Sequence, residues 1–316
     1  MTDRVHDVVV FAPTISLTVT MENGSENGVE VHIHPGGQGF WVARMLRHLG
    51  HEPLLCGPVG GESGDVIGGL LQQWQIDLSS VQMAGDSPVV IQDRRDGDRS
   101  LIAETNLPHL SRHELDDVYG TLLDNALSVS TTVISGQPGE MLPADTYRRM
   151  GHDLGSAEVT VIGDLHGGDL DAFLDGGSID VLKVSHDDLR HDGAVSGDAD
   201  DDDEIFGVID SLIARGARNV VVSLAGGGAL ADFGGTRYRV RPPELDPADH
   251  RGAGDSMTAG LAAASVRGLT PEETLRLACA AGAANVTRHG LGSAAESLIP
   301  GLAERVKVEM LAGETQ

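Results

Sequence analysis

The segment that decides the fold reads RGAGDSMTAGLAAA and occupies residues 251–264. Its second half is rich in alanine, which favours a helix, and its first half places two glycines and an aspartate where that helix begins. Glycines at such a position let the backbone N–H groups of Gly252, Ala253 and Gly254 converge on an anion, and the helix dipole adds about half a positive charge there. The segment therefore predicts an anion hole at a helix N-terminus, able to hold a phosphoryl group.

Asp255 follows this loop and has two interpretations. An aspartate beside an anion hole is well placed to act as general base toward a substrate hydroxyl, because phosphoryl transfer needs an oriented nucleophile. Aspartate is also a favoured helix N-cap, and Gly-x-Gly commonly precedes helices. The segment alone leaves both interpretations open.

Outward from this segment, strand-like and helical patterns alternate along the chain. Apolar residues at helical spacing predict amphipathic helices within residues 65–75 and 205–213. Short apolar runs predict strands at 131–135, 159–162, 179–184 and 219–224. Because strands that alternate with helices form parallel sheets, the sequence predicts a doubly wound α/β fold.

Two segments interrupt this alternation with short strands around turn-rich stretches. They predict two hairpins, which pair residues 17–21 with 29–33 and residues 88–92 with 99–103. We expect the hairpins to form a small antiparallel sheet that covers a ligand cleft. The predicted division is a β-sheet lid at 14–34 and 86–104 and an α/β nucleotide-binding and catalytic domain at 1–13, 35–85 and 105–316.

The charge of the chain excludes some classes of partner. Its 316 residues carry 22 basic and 48 acidic side chains, a formal net charge of −26. A field of this sign repels phosphate backbones and acidic lipid headgroups within a Debye length of about 8 Å, so we expect neither a nucleic-acid nor a membrane partner. Cys56 and Cys279 lie in apolar contexts that predict buried, reduced thiols and a cytoplasmic location.

Three further patterns resemble ligand sites but lack what those sites require. The acidic run at 198–204 predicts a solvated loop rather than a cation site. A Walker A loop is excluded because neither Lys183 nor Lys307 follows a glycine. The glycines at 226–228 mimic a dinucleotide fingerprint, but residues 229–240 predict a hairpin where that fingerprint needs a helix.

The order of motifs resembles that of one protein family. Residues 252–255 (GAGD) resemble the second motif of the ribokinase-like (PfkB) carbohydrate kinases, and residues 35–44 (PGGQGFWVAR) match the first motif in part. The correspondence continues in order, and it most resembles the branch that contains 1-phosphofructokinase and tagatose-6-phosphate kinase. Its further matches are residues 57–64, 135–136, 163–164, 183 and 221–230.

The resemblance implies a fold and an assembly. The fold is a three-layer α/β/α domain with a mostly parallel central sheet and a small antiparallel β-sheet lid. Lid strands in this family often pair between two subunits, so the resemblance also implies a homodimer through the lid.

The resemblance also implies a reaction and its residues. An enzyme of this kind uses ATP and Mg²⁺ to phosphorylate a hydroxyl of a sugar or sugar phosphate, with Asp255 as general base and the N–H groups of residues 253–255 around the anion. The implied nucleotide-binding residues are Lys183, Ser185, Asp188, Ser223, Gly226, Gly228 and Asn285, of which Asp188 would also reach Mg²⁺ through a water. The implied residues for the sugar-like acceptor are Ser16, Gly36, Gly37, Gln38 and Trp41.

Departures from the family pattern keep two alternatives open. Gln38 and Trp41 stand where the phosphosugar branch has lysine and asparagine, Pro88 replaces a phosphate-binding arginine, and residues 185–188 (SHDD) replace Asn-x-x-Glu. An unphosphorylated sugar or a nucleoside is therefore an alternative acceptor, with Trp41 facing the pocket as a stacking platform. The second alternative is a pseudo-kinase that binds nucleotide or metabolite without turnover, against which the intact 252–255 motif and Lys183 stand.

Overall fold

Strands and helices alternate along most of the chain. The computed structural model describes residues 5–24, 28–97, 99–136, 141–199, 201–245, 251–287, 292 and 297–311. The strands are β1 (Val8–Phe11), β2 (Ser16–Asn23), β3 (Val29–Gly36), β4 (Pro53–Val59), β5 (Asp77–Gln82), β6 (Val89–Asp93), β7 (Ser100–Glu104), β8 (Thr131–Ser135), β9 (Thr160–Asp164), β10 (Val181–Ser185), β11 (Asn219–Ser223), β12 (Ala229–Phe233), β13 (Thr236–Arg241) and β14 (Lys307–Met310). The helices are α1 (Gln38–His48), α2 (Gly61–Gln73), α3 (Arg112–Ala126), α4 (Ala144–Ser156), α5 (Gly167–Gly176), α6 (His186–His191), α7 (Asp202–Ala214), α8 (Ala253–Arg267), α9 (Pro271–Val286) and α10 (Leu298–Ala303).

The central sheet has ten strands in the order β14-β13-β12-β11-β10-β9-β8-β1-β4-β5. The pairs from β11 to β5 are parallel, whereas β12, β13 and β14 add an antiparallel edge. Side chains alternate across β1, so Val8 and Val10 join a core with α1, α2, α8 and α9, while Val9 and Phe11 join a core with α3, α4, α5 and α7. The predicted three-layer α/β/α fold is confirmed.

The two predicted hairpins form a separate four-stranded sheet in the order β3-β2-β6-β7. This lid sheet differs from the antiparallel prediction in its central pair, because β2 and β6 pair in parallel. Both strands start near the α/β body, at Ser16 and Val89, and run away from it, so their shared direction follows from where the chain leaves the body. The tip residues 25–27 and residue 98 lie outside the described residues.

Two predictions beside the sheet have different outcomes. Residues 229–241 form the antiparallel pair β12–β13, which confirms the hairpin and rules out a dinucleotide fingerprint there. The acidic run is not simply a loop, because Asp202, Asp203 and Glu204 form the first turn of α7 and Asp201 caps it by accepting from the Glu204 N–H. Acidic side chains in that turn complement the positive end of the helix dipole. Asp200 is outside the described residues.

Within the part of the chain that the structure describes, no helix is both long enough and apolar enough to cross a bilayer.

Candidate active site

The candidate anion hole is the first turn of α8, which packs beside β9 and β10. Gly252 caps the helix with a φ of 74°, a left-handed conformation that glycine adopts without steric cost. No side chain caps this helix, and the first N–H groups of a helix have no acceptor within it. The N–H groups of Ala253 and Gly254 can therefore receive an anion. Gly254 also allows a lysine to approach, because a Cβ there would lie 2.9 Å from Nζ of Lys183.

Asp255 is half-buried in the same turn. The N-cap interpretation is wrong, because Gly252 occupies the cap position. Burial, followed by the charge of Asp164, raises the pKa of Asp255 to about 7, with Asp188 adding to the effect and Lys183 opposing it. A carboxyl group with a pKa near 7 can take up a proton from a substrate at neutral pH, which is the requirement for a general base.

Lys183 is buried and already paired in the protein. Its Nζ donates to Oδ1 and Oδ2 of Asp164 at 3.2 and 3.3 Å. Burial opposes the charge of the ammonium group, but the carboxylates of Asp164, Asp255 and Asp188 together hold the pKa of Lys183 above its usual value. Lys183 is therefore a fixed positive charge behind Gly254 rather than a freely moving cation.

Two residues of this network, Asp164 and Thr258, were given no role at the sequence level. Thr258 donates its hydroxyl hydrogen to Oδ2 of Asp164 at 2.6 Å, so Asp164 joins α8 to β9 and β10. The sequence did contain a signal for each of them. Asp164 comes two residues after the predicted strand at 159–162, where α/β folds place site residues, and Thr258 is one helical turn after Gly254.

Ser185 and Asp188 form a reciprocal cap on α6. The Ser185 side chain accepts from the Asp188 N–H at 3.0 Å, while Oδ2 of Asp188 accepts from the N–H and the hydroxyl of Ser185 at 3.0 and 2.6 Å. This is a capping box with aspartate in place of glutamate. Only Oδ1 of Asp188 is left for other ligands, and it lies 3.9 Å from Nε2 of His166.

The fit of this site to Mg²⁺ depends on that single oxygen. Mg²⁺ prefers oxygen ligands and usually keeps several waters, so one carboxylate plus phosphate oxygens suits it. Among the described residues, no group of three or more His, Cys, Asp or Glu side chains is arranged to hold a metal. The residues present therefore fit Mg²⁺ through one ligand of Asp188, directly or through a water.

The other proposed nucleotide residues cluster at the turn after β11. Ser223 ends that strand, and its hydroxyl donates to the Val184 carbonyl at 3.5 Å. Gly226 lies exposed in the short 3₁₀ turn that follows. Gly228 has a φ of 90° and no room for a side chain, because a Cβ would lie 2.0 Å from the Val240 carbonyl oxygen. The backbone of this turn therefore offers an open surface next to the β11 end.

Asn285 has a different position from the one the resemblance implies. It is fully buried in α9, and its Nδ2 donates to the Arg251 carbonyl at 2.6 Å. Direct contact of its side chain with a nucleotide is therefore not supported by its placement. Its bond instead ties α9 to the residue that precedes the anion hole.

A cavity of about 220 Å³ lies at the carboxyl ends of β1 and β8, beneath the lid. This is the edge of a parallel sheet where ligands bind in α/β folds, and Asp164 ends β9 at the same edge. Gln38 is held there, because its Oε1 accepts from the Gly136 N–H at 3.0 Å. The cavity is lined by Pro13, Thr14, Ser16, Gly37, Gln38, Gly39, Pro88, Val90, Glu104, Leu107, Ser135 and Gly136.

Two expected acceptor residues do not line this cavity. Gly36 ends the lid strand β3 and packs against β2, since a Cβ there would lie 2.4 Å from the Thr18 hydroxyl oxygen. Trp41 is buried in the core, with its ring centroid 4.6 Å from that of Phe40 and 5.1 Å from that of His34. The prediction that Trp41 faces the pocket is wrong, because it lies on the face of α1 that packs inward.

Known proteins resemble this chain in sequence over nearly its whole length. The sequence profile described as "pfkB family carbohydrate kinase" matches residues 5–298. The chain is 27% identical over 313 residues to 1-phosphofructokinase of Bacillus subtilis. The aligned region covers 96% of this chain and 99% of that protein.

Solved structures of Escherichia coli phosphofructokinase-2 share the fold. The structure in complex with potassium has a TM-score of 0.85 at 21% identity, covering 95% of this chain and 99% of the other. The tetrameric inhibited form has a TM-score of 0.81 at 21% identity, covering 95% and 99%.

Proposed function

Because the chain belongs to the pfkB family of carbohydrate kinases, which are phosphotransferases with an alcohol acceptor, we propose that Asp255 is the general base of this kinase. Asp255 takes the proton of the acceptor hydroxyl as the hydroxyl oxygen attacks the γ-phosphorus of ATP, the family's phosphoryl donor. The bond from the γ-phosphorus to the β,γ-bridging oxygen breaks, and ADP leaves. The acceptor is a sugar or a sugar phosphate.

The observation that carries this proposal is the charge arrangement around Asp255. The side chain lies in the same helical turn as the N–H groups of Ala253 and Gly254, and its pKa is raised to about 7. The N–H groups and the positive end of the helix dipole stabilise the negative charge of the transferring phosphoryl group. Proton acceptance and anion stabilisation therefore occur within one turn of α8.

The nucleotide is assigned to the same edge of the sheet. Lys183 supplies a fixed positive charge, and the turn at Gly226 supplies open backbone beside the β11 end. Asp188 would hold Mg²⁺, which neutralises phosphate charge when bound. Ser185 orients Asp188 through the capping box.

One observation favours an unphosphorylated acceptor as a second candidate. Among the described residues that line the cavity there is no lysine, arginine or histidine, whereas Glu104 brings a carboxylate. A phosphate group needs positive charge or free N–H groups to bind in a protein of net charge −26. A neutral sugar or nucleoside would require neither.

We also propose a homodimer through the lid and a cytoplasmic location. Val29, Val31 and Ile33 of β3 are 53, 55 and 51% exposed and lie on one face of the lid. The cavity residues Ser16 and Val90 lie on the opposite face, because they pair out of phase with that set. An apolar sheet face turned away from the cavity suits a second copy of the lid, and a related phosphofructokinase-2 forms a tetramer.

The test of the general base is Asp255→Asn, which keeps the shape of the side chain but removes its proton affinity. We expect kcat to fall about 10²-fold or more with nucleotide affinity nearly unchanged. The matched control is Asp210→Asn, which removes a carboxylate from an exposed pair with Arg237. ADP release with ATP and Mg²⁺ is measured over free sugars, sugar phosphates and nucleosides.

Wild-type turnover by Asp255→Asn on the best acceptor would contradict the role of Asp255. ATP binding without ADP release for any acceptor would contradict the kinase proposal and favour the pseudo-kinase. The acceptor class that gives the highest kcat/KM distinguishes a phosphorylated from an unphosphorylated substrate.

A further inference from the structure

His166 lies between two carboxylates at the carboxyl edge of the central sheet. Its Nδ1 is 3.0 and 3.2 Å from the two oxygens of Asp192, and its Nε2 is 3.9 Å from Oδ1 of Asp188. A carboxylate only accepts, so Nδ1 carries the proton in the bond to Asp192. In neutral His166 the unprotonated Nε2 therefore faces Asp188 with its lone pair.

The two facing atoms have no hydrogen bond between them. A separation of 3.9 Å is too long for a hydrogen bond, and the other oxygen of Asp188 is already used by Ser185. Two neighbouring ligands of one divalent ion, each about 2.0–2.2 Å from it, stand about 3.0–3.5 Å apart, so these two side chains would have to approach by about half an ångström to share one ion. The side chains of His166 and Asp188 are 15 and 33% exposed, so an ion from solvent can reach both.

We propose that Nε2 of His166 and Oδ1 of Asp188 together bind one divalent ion of the Mn²⁺, Co²⁺ or Zn²⁺ class. An imidazole nitrogen suits these ions, whereas Mg²⁺ favours all-oxygen sets. Asp192 is the positioning residue, because a carboxylate on Nδ1 fixes the ring and makes Nε2 a better ligand. Water completes the ion's shell, and phosphate oxygens replace some of it when a nucleotide is present.

The place of this ion in the fold follows from charge. The carboxylate of Asp188 is close enough to Lys183 and Asp255 to act on the pKa of both. The ion would therefore adjoin the phosphoryl-transfer site, and its charge would offset that of Asp188. This inference rests on the proposed nucleotide site at Asp188, but its test does not depend on turnover.

The test is direct detection of nitrogen coordination to Mn²⁺ in the full-length chain. Mn²⁺ is titrated by EPR with and without ADP, and pulsed EPR records ¹⁴N coupling from a directly bound imidazole. We expect wild-type protein to show this coupling. His166→Gln should lose it and raise the Mn²⁺ Kd at least about 10-fold, while Asp192→Asn should weaken Mn²⁺ binding about 10-fold. His191→Gln is the control, because its ring lies beside His166 at 6.4 Å but touches neither carboxylate of the site in the described contacts.

Absence of ¹⁴N coupling in wild-type protein would overturn the proposal, and so would coupling that persists in His166→Gln. The wild-type spectrum decides the question even if a variant fails to fold. A nitrogen-coupled Mn²⁺ signal in a protein without kinase turnover would leave this inference standing while the proposed function fails. Turnover with Mg²⁺ in a protein that shows no nitrogen coupling would leave the proposed function standing while this inference fails.

Discussion

Asp255 lies among charges of both signs, and their sum sets the pH at which it can act. Burial and the carboxylates of Asp164 and Asp188 raise its pKa, while Lys183 lowers it, with a net value of about 7. The neighbouring carboxylates thus raise the pKa of Asp255 and make it a stronger base. Lys183 limits this rise, so that Asp255 can still be ionised near neutral pH.

The residue-scale prediction is a pH profile. Asp255 accepts a proton only when it is ionised, so kcat/KM should rise through a midpoint near pH 7 and level off above it. Asp188→Asn removes a negative charge that raises this pKa, so the midpoint should move to lower pH even if the maximal rate also falls. The profile is measured by ADP release with Asp210→Asn as the charge-matched control. A midpoint that stays in place in Asp188→Asn would show that another group controls the profile.

At the scale of elements, the contact between α8 and α9 explains why the decisive segment is built from small residues. Residues 259–264 of α8 are all buried, and a Cβ on Gly260 would lie 2.5 Å from the Ala278 Cα. The close approach sets the position of the anion hole, since Asn285 at the end of α9 bonds to the Arg251 carbonyl. A larger side chain in this contact would therefore also shift the anion hole.

The element-scale prediction compares two glycine substitutions. Gly260→Ala forces a methyl group into the α8–α9 contact and should lower the free energy of unfolding by about 1–3 kcal/mol. Gly120→Ala lies on an exposed face of α3 with open space around it and should raise the free energy of unfolding by about 0.5–1 kcal/mol. Urea denaturation measures both. Equal stability of the two variants would mean that α8 and α9 can move apart without cost.

At the scale of the whole molecule, the lid presents apolar residues to solvent while the chain as a whole is strongly acidic. Leu101 and Ile102 of β7 are 61 and 52% exposed, in addition to the apolar face of β3. A net charge of −26 opposes nonspecific association, so an apolar patch on such a protein favours a specific interface.

The whole-molecule prediction is an oligomeric state that depends on the lid. Ile33→Asp places a charge on the apolar face of β3 and should convert a dimer to a monomer at micromolar concentration, because a buried unpaired carboxylate is costly. Val66→Asp is the control, since Val66 is also exposed, at 45%, but lies on α2. Analytical ultracentrifugation measures the mass. A dimer that persists in Ile33→Asp, or a wild-type monomer, would contradict the lid interface.

The sequence by itself determined the features that depend on neighbours along the chain. The alternation of strands and helices, the two lid hairpins, and the glycine-rich start of α8 all follow from local spacing and backbone freedom. The Ser185–Asp188 box is also local, and its pattern of a serine followed three residues later by an acid is a known N-terminal signature of helices.

Only the tertiary structure decided which distant groups meet. Lys183 pairs with Asp164 across 19 residues, and Thr258 reaches Asp164 across 94. Trp41 turned out to be core and Asn285 a tie between α9 and the anion loop, because the packing of helices on the sheet sets which face of each helix is buried. A resemblance of motifs identifies which residue types stand at the site. The burial and the neighbouring charges that set the pKa of Asp255 exist only once the strands and α8 are packed together.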